Sequence, residues 1–401
     1  MKKIILVFLS FLVLFFSFEK KGYAAQQVGE FYSLSAVLMD GDSGRILYEK
    51  NGEEFLSNAS TTKILTCILA LEKADLQEQV VISEYAASMP DVQLNVRPKE
   101  QYCLEDLLYS LMLESHNDVA VAVAEHLAGS CEKFSEMMNQ KAKEIGCKNT
   151  FFLTPNGLDA SKGDKNHGTT AKDLALLMRY CILQSPKKEE FLKITGTARY
   201  TFGDKEGKRT FTCYNRNSFL NMMEGAISGK TGFTSKAGYC YVGALKREEK
   251  TYIVALLGCG WPSNKHYKWQ DCRKLMEYGL ENYHRFLLSL MPPLEQEIFS
   301  VEIKNGKNNQ GGYSAIGELE VEKIEEQGIL LKEGEKIEIK TKKITKEAPV
   351  KKGEVMGSIE YWVEDKLWLS RKLYLKEEIE KIDYQWCLET VIQNIIPGRT
   401  K

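Results

Sequence analysis

Apolar and polar positions change their period several times along the chain, and each change marks an element. Alternation over 34–39 and 45–49, broken by Asp40-Gly41-Asp42-Ser43-Gly44, predicts an antiparallel hairpin, because those turn residues tolerate tight backbone geometry. Then the period lengthens. Ile64, Cys67, Ile68 and Leu71, next Leu104, Leu107, Leu108 and Leu111, and next Val119, Ala122, Val123 and His126 recur at helical spacing, so residues 60–195 read as mainly helical. His126, on such an apolar stripe, is expected in the core. Strand patterns return over 226–230, 239–245 and 251–257, and a helix is expected over 265–290. Strands at both ends of one unit with helices between them predict an α+β fold, an antiparallel sheet assembled from chain-distant pieces beneath a helical layer.

Met291-Pro292-Pro293 ends that unit. Beyond it, alternating segments such as Ile337-Glu338-Ile339-Lys340-Thr341, with glycine-bearing turns between them, predict a small all-β domain over 294–376. In the tail, 377–401, Tyr384, Leu388, Val391, Ile392, Ile395 and Ile396 share one helical face. That face suits either a membrane interface on the outer surface or docking on its own domain; the acidic polar side favours neither. At the other end, Lys2 and Lys3 precede an apolar run over 4–18, and Gly22-Tyr23-Ala24 supplies small residues. This reads as a secretory signal peptide, 1–25, and the 26–291 unit is then expected outside the cytoplasm. An uncleaved membrane anchor is the rival reading, and the run is short for a span.

Composition narrows the partners rather than the fold. At 401 residues, 43% hydrophobic and 27% charged with a formal net charge of −1, the chain has material for two cores and no electrostatic reason to bind nucleic acid. Its 10 cysteines are scattered singly without a C-x-x-C pair, several inside apolar runs, which predicts mostly buried thiols rather than a disulfide framework. The 5 histidines show no metal-binding spacing, and no metal or cofactor is implied.

Three short motifs carry the chemistry: Ser60-Thr61-Thr62-Lys63, Ser115-His116-Asn117 and Lys230-Thr231-Gly232, in that order. Each alone is common by chance, and each has a plain alternative: an N-cap serine with a surface lysine, a helix cap, a hairpin turn. The ordered triplet is the specific signal. Ser60 stands at the start of a helix, at the positive end of its dipole, and Lys63 lies one turn on within reach of the hydroxyl. Burial in the apolar run after Lys63 disfavours the ammonium, and a neutral amine is what a base for a serine hydroxyl must be. Ser115 and Asn117 fall between two helices, where a loop exposes both. Ser115 is placed to relay a proton between Lys63, Lys230 and a leaving amine; the Asn117 amide is placed to hold Lys63 and bind a substrate carbonyl. Lys230 and Thr231 suit a substrate carboxylate, Gly232 lets a ligand backbone approach, and the N–H groups of Phe233 and Ser60 form an expected oxyanion hole. A strand there can pair with a peptide substrate.

With these residues the sequence resembles the low-molecular-mass penicillin-binding proteins, the serine-type D-alanyl-D-alanine carboxypeptidases, over nearly the whole chain after its first 25 residues. Gly44-Arg45-Ile46-Leu47-Tyr48, Asn156-Gly157-Leu158-Asp159, Thr169-Thr170-Ala171-Lys172-Asp173-Leu174-Ala175, Asn215-Arg216-Asn217 and Ala348-Pro349-Val350-Lys351-Lys352-Gly353 extend it. The resemblance implies a β-lactamase/transpeptidase-like catalytic domain. In it Ser60 attacks the bond between two terminal D-alanines of a peptidoglycan stem peptide, Lys63 takes its proton, and Ser115, Asn117 and Lys230 complete the proton network. The resulting acyl-enzyme is released by water, and β-lactam antibiotics are expected as covalent inhibitors. Lys265 falls where relatives place a basic residue for the terminal carboxylate. Two positions depart from the pattern. Asn58 stands where proline is common, which reads as a loop detail, and His116 replaces a small residue, adding bulk and a titratable ring beside the site. Two rivals share the fold. A class A β-lactamase needs a glutamate four residues before an asparagine, and none lies between Ser115 and Lys230. An inactive peptidoglycan-binding protein would not need the complete set of motif residues.

Overall fold

The computed structural model describes residues 29–308 and 312–395. The expected signal peptide, residues 1–25, and the end of the tail, 396–401, lie outside the described residues. The hairpin forms as β1 (Ser35–Asp40) and β2 (Ile46–Lys50), and the later strands are β3 (Ala226–Thr234), β4 (Gly238–Arg247) and β5 (Lys250–Leu257). They join in one five-stranded sheet of order β2-β1-β5-β4-β3. Here β1 pairs antiparallel with β5, Ser35 opposite Leu257, so the two ends of the unit meet across some two hundred residues of chain. Among the described residues β3 pairs only with β4 and lies at the sheet edge.

Helices fill the interval: α1 (Lys63–Lys73), α2 (Leu104–Leu113), α3 (Asn117–Ala128), α4 (Cys131–Ile145) and α5 (Ala171–Arg179). α1 is buried continuously from Lys63 to Leu71, which is why its sequence is apolar all round rather than on one stripe. α3 ends where Gly129 takes φ 78°, a left-handed cap that glycine adopts without a Cβ penalty. His126 is the exception to the core pattern. Its Nε2 lies 2.8 Å from Glu78 Oε2 with a fifth of the side chain exposed, turned toward that carboxylate rather than into the core.

The helix expected over 265–290 is shorter. α6 spans Tyr267–Asn282, and the chain then extends into β6 (Tyr283–Leu287), which pairs antiparallel with β9 (Gly328–Lys332). That pairing partner is distant in sequence, so local periodicity carries no trace of it. Beyond lie β7 (Ser300–Lys304), β8 (Ser314–Val321), β10 (Ile337–Lys343), β11 (Lys346–Glu347), β12 (Val355–Val363) and β13 (Lys366–Leu375), forming a second sheet of order β10-β12-β13-β8-β7-β11 with its own apolar core. Arg45 ties the two sheets' regions together, donating to Glu335 Oε1 and Oε2 at 2.6 and 2.7 Å and to the Leu330 carbonyl at 2.8 Å. The tail helix α7 (Tyr384–Ile395) leaves Tyr384, Leu388, Val391 and Ile392 exposed. All 10 cysteines are free thiols, six of them buried.

Candidate active site

The first motif begins as a 3-10 turn, Ala59–Thr62, that runs into α1. Ala59 holds φ 47°, unusual for a residue with a Cβ, and Ser60 follows it. Lys63 is fully buried, and its Nζ is surrounded by oxygen: Ser60 Oγ at 2.8 Å, Asn117 Oδ1 at 2.8 Å and the Asn156 carbonyl at 2.7 Å. Burial and then the field of Lys230 depress its pKa far below that of a free lysine, with only Asp118 opposing.

Ser115 sits at the bend between α2 and α3 with φ 73°, in the left-handed region, and its Oγ accepts from Lys230 Nζ at 2.9 Å. Lys230 also donates to the Thr231 carbonyl at 2.9 Å, and burial pushes its pKa down to about 7. The motif residues thus form two hydrogen-bonded groups facing one cleft: Ser60, Lys63 and Asn117 in one, Ser115 and Lys230 in the other.

Asn117 departs from the expected exposed loop position. It is the first residue of α3 and is buried, and its Nδ2 donates to the carbonyls of Pro90 and Asp91, both at 3.1 Å. Both amide hydrogens are therefore taken, so the side chain holds Lys63 and the 90–92 loop rather than offering a donor to a substrate carbonyl. His116 also differs from expectation. Its ring is buried away from the cleft, Nδ1 at 2.7 Å from Ser110 Oγ and Nε2 at 3.4 Å from Glu114, and burial lowers its pKa to about 4. It adds neither bulk to the cleft nor charge at neutral pH.

The cleft is a cavity of about 650 Å³ whose lining includes Ser60, Ser115, Asn117, Thr231, Gly232 and Phe233. Gly232 is needed for a reason internal to the chain: a Cβ there would lie 2.8 Å from the Ser60 nitrogen and 3.0 Å from the Asn58 carbonyl oxygen, so β3 can pass the serine only without a side chain. Asn58 is more than a loop detail. Its buried Nδ2 donates to Thr61 Oγ1 at 3.1 Å and Thr62 Oγ1 at 2.9 Å, bracing the turn.

Lys265 lies on the exposed rim of the same cavity. The residue that motif reading missed is Lys268, also on the cavity wall, only 7% exposed, with Nζ 4.5 Å from the Tyr239 ring centre and 4.9 Å from that of Trp269. Burial lowers its pKa to about 8. Its signal was helical phase: Lys268, Asp271, Cys272, Leu275, Met276 and Gly279 form the inward stripe of α6. The Asn156 carbonyl was also missed, being a backbone group. Gly157 after it has φ 83°, and a Cβ there would collide with the Ala59 carbonyl. Arg216 and Glu114 meet at the cleft edge, N–H to Oε1 at 3.3 Å.

An antiparallel sheet under a helical layer, with a serine and a buried lysine at the mouth of the central helix, defines a serine hydrolase of the transpeptidase-like α+β fold. Residues 21–260 match the family model described as D-alanyl-D-alanine carboxypeptidase, and 324–381 match that of the penicillin-binding protein 5 C-terminal domain. The chain belongs to the D-alanyl-D-alanine carboxypeptidase family. It is 31% identical to D-alanyl-D-alanine carboxypeptidase DacF of Bacillus subtilis over 87% of this chain and 86% of that protein. It is 28% identical to DacC of Escherichia coli over 91% and 90% of the two chains. Penicillin-binding protein 5 from Haemophilus influenzae superposes with a TM-score of 0.69 at 26% identity, covering 88% of this chain and 99% of that one.

Proposed function

We propose that this carboxypeptidase removes the terminal D-alanine from peptidoglycan stem pentapeptides through an acyl ester on Ser60, with Lys63 as its base. One observation carries the reading. Asn117 Oδ1 and the Asn156 carbonyl can only accept, so they claim two hydrogens of the Lys63 nitrogen, and the third direction faces Ser60 Oγ at 2.8 Å. In the neutral amine favoured by burial, that third direction holds the lone pair, aimed at the serine proton.

Ser60 Oγ attacks the carbonyl of the penultimate D-alanine as its proton passes to Lys63. The oxyanion is held by the N–H groups of Ser60 and Phe233. Collapse breaks the C–N bond as Ser115, hydrogen-bonded to Lys230, passes a proton to the leaving amine and takes up the one held by Lys63, which returns to the neutral amine. Free D-alanine departs, and water then attacks the ester carbonyl, Lys63 taking its proton and returning it to Ser60 Oγ as the C–O bond breaks. The substrate lies along the free edge of β3 as an added strand. Its terminal carboxylate meets Thr231 and the cations of Lys230 and Lys268, with Lys265 at the rim. A β-lactam acylates Ser60 in the same way. Peptidoglycan lies outside the cytoplasm, so the leading segment exports the chain, and the exposed apolar face of α7 rests on the outer surface of the membrane.

The test is incubation with penicillin followed by peptide mapping. A long-lived adduct on Ser60, with D-alanine release from a pentapeptide abolished in Ser60→Ala, supports the reading. An adduct elsewhere overturns it, and rapid multiple turnover of the drug points to a β-lactamase.

A further inference from the structure

His167 lies outside the three motifs and the cleft, yet it is 2% exposed and hydrogen-bonded at both ring nitrogens. Nδ1 accepts from the Leu153 N–H at 3.0 Å, so in the neutral ring the proton sits on Nε2. Nε2 faces Thr62 Oγ1 at 2.9 Å. That oxygen also accepts from Asn58 Nδ2 at 2.9 Å, so both its lone pairs are occupied. Its single hydrogen is left for the Ala59 carbonyl, 2.8 Å away. The hydrogens from the His167 ring to the Ala59 carbonyl thus run in one direction, and Nδ1 also faces the Thr154 N–H at 3.3 Å. A protonated ring would turn an N–H against the Leu153 N–H, in keeping with a pKa that burial lowers to about 3.

The end of the relay is a peptide plane. In a trans peptide the C=O and the following N–H point in opposite directions, so holding the Ala59 carbonyl toward Thr62 aims the Ser60 N–H away from it. That plane follows a residue at φ 47°, a conformation the backbone would otherwise leave.

We infer that His167 is a positioning residue for the oxyanion hole: its Nε2–H, relayed through the Thr62 hydroxyl to the Ala59 carbonyl, fixes the peptide plane that presents the Ser60 N–H to the substrate. The inference rests on Ser60 being the acylated nucleophile. His167 itself touches neither substrate nor reacting atoms.

The test measures acylation of the full chain by a D-alanyl ester substrate and by its thionoester, in which sulfur replaces the carbonyl oxygen and fits an oxyanion hole poorly. In His167→Phe, which removes both ring nitrogens at similar bulk, ester acylation is expected to fall about 10- to 100-fold, less than or comparable to losing a donor outright. Thionoester acylation should fall far less, so the ester-to-thionoester rate ratio narrows. A merely structural role lowers both rates together and leaves the ratio unchanged, which would overturn the inference. His167→Gln, whose amide N–H reaches the Nε2 position, should recover most of the ratio; failure to do so also counts against it. Should His167→Phe not fold, Thr62→Val cuts the same relay, with the same narrowing expected. If the parent chain carries no adduct on Ser60 at all, the functional reading itself fails, an outcome distinct from an unchanged ratio.

Discussion

Lys63 Nζ and Ser60 Oγ lie 2.8 Å apart, and the lysine's remaining contacts, to Asn117 Oδ1 and the Asn156 carbonyl, are both to fixed acceptors. The serine is therefore the one partner of the three that can give a proton. Asn117→Asp tests this directly. It keeps an acceptor for Lys63 but places a carboxylate beside it, which favours the ammonium and raises the lysine pKa. The neutral base then forms at higher pH, so the acidic limb of penicillin acylation should move upward in pH. Asn117→Ala removes the acceptor and the hold on Pro90 and Asp91, and should slow acylation about 100-fold, within the range of losing general-base positioning.

Gly232→Ala puts a methyl group within 2.8 Å of the Ser60 nitrogen, a backbone atom that cannot rotate aside. Either β3 or the serine turn must shift. A displacement of the reacting geometry by roughly 1 Å costs about 100-fold in rate. Acylation rate should fall by that order while Tm drops only modestly, because β3 is an edge strand free to move outward. Stopped-flow acylation and thermal melts of the same preparation check the two halves.

What could be read from the chain was what is local. The three motifs, the apolar run of α1 and the Gly129 cap are signals within a few residues, and the structure forms the helices and hairpin they mark. Unreadable features depend on partners distant in sequence. β6 is a strand because β9 lies beside it. His126 leaves the core because Glu78 waits outside. Lys265 stands out by the family resemblance, whereas Lys268 reaches the cavity by its phase on α6, which no short motif marks. The Asn156 carbonyl has no side-chain signature at all. Only Gly157, forced by its contact with Ala59, hints that the backbone there is in use.

Lys230→Met should change how stability responds to pH. Lys230 is buried and its pKa falls from 10.5 to about 7, so between those values the unfolded chain holds a proton that the folded chain has released. Stability of the parent therefore rises as pH climbs from about 7 toward 10.5, and below about 7 the full cost of burying the cation remains. A tenfold difference in proton affinity between the folded and unfolded chains corresponds to about 1.4 kcal/mol. The variant lacks this dependence, and Lys63, relieved of Lys230's field, holds its proton more normally. Denaturant melts should show the parent gaining on Lys230→Met by a few kcal/mol between pH 7 and 10. A constant difference across that range would show that Lys230 keeps its proton in the folded chain as it does in the unfolded one.

Lys268 separates recognition of a carboxylate from catalysis. Its ammonium lies over the rings of Tyr239 and Trp269 on the cavity wall and donates to the Lys265 carbonyl at 2.6 Å, with no hydrogen bond to Ser60 or Lys63 among the described residues. A charged hydrogen bond from it to a substrate carboxylate is worth about 1.5–3 kcal/mol, or roughly 10- to 100-fold. Lys268→Ala should lose that factor in kcat/KM on a peptide ending in D-Ala-D-Ala, chiefly through KM. The same peptide with an amidated terminus should react poorly with the parent and be little affected by the substitution, since no anion is there to lose. Lys265→Ala, removing an exposed rim cation, should cost only a few-fold on either peptide, because a solvated charge contributes about 0–1 kcal/mol. The pKa of about 8 adds a second signature. Above that pH the parent loses the cation, so its advantage over Lys268→Ala on the carboxylate peptide should shrink from pH 7 to pH 9. Equal losses on both peptides would place Lys268 in the packing of α6 instead.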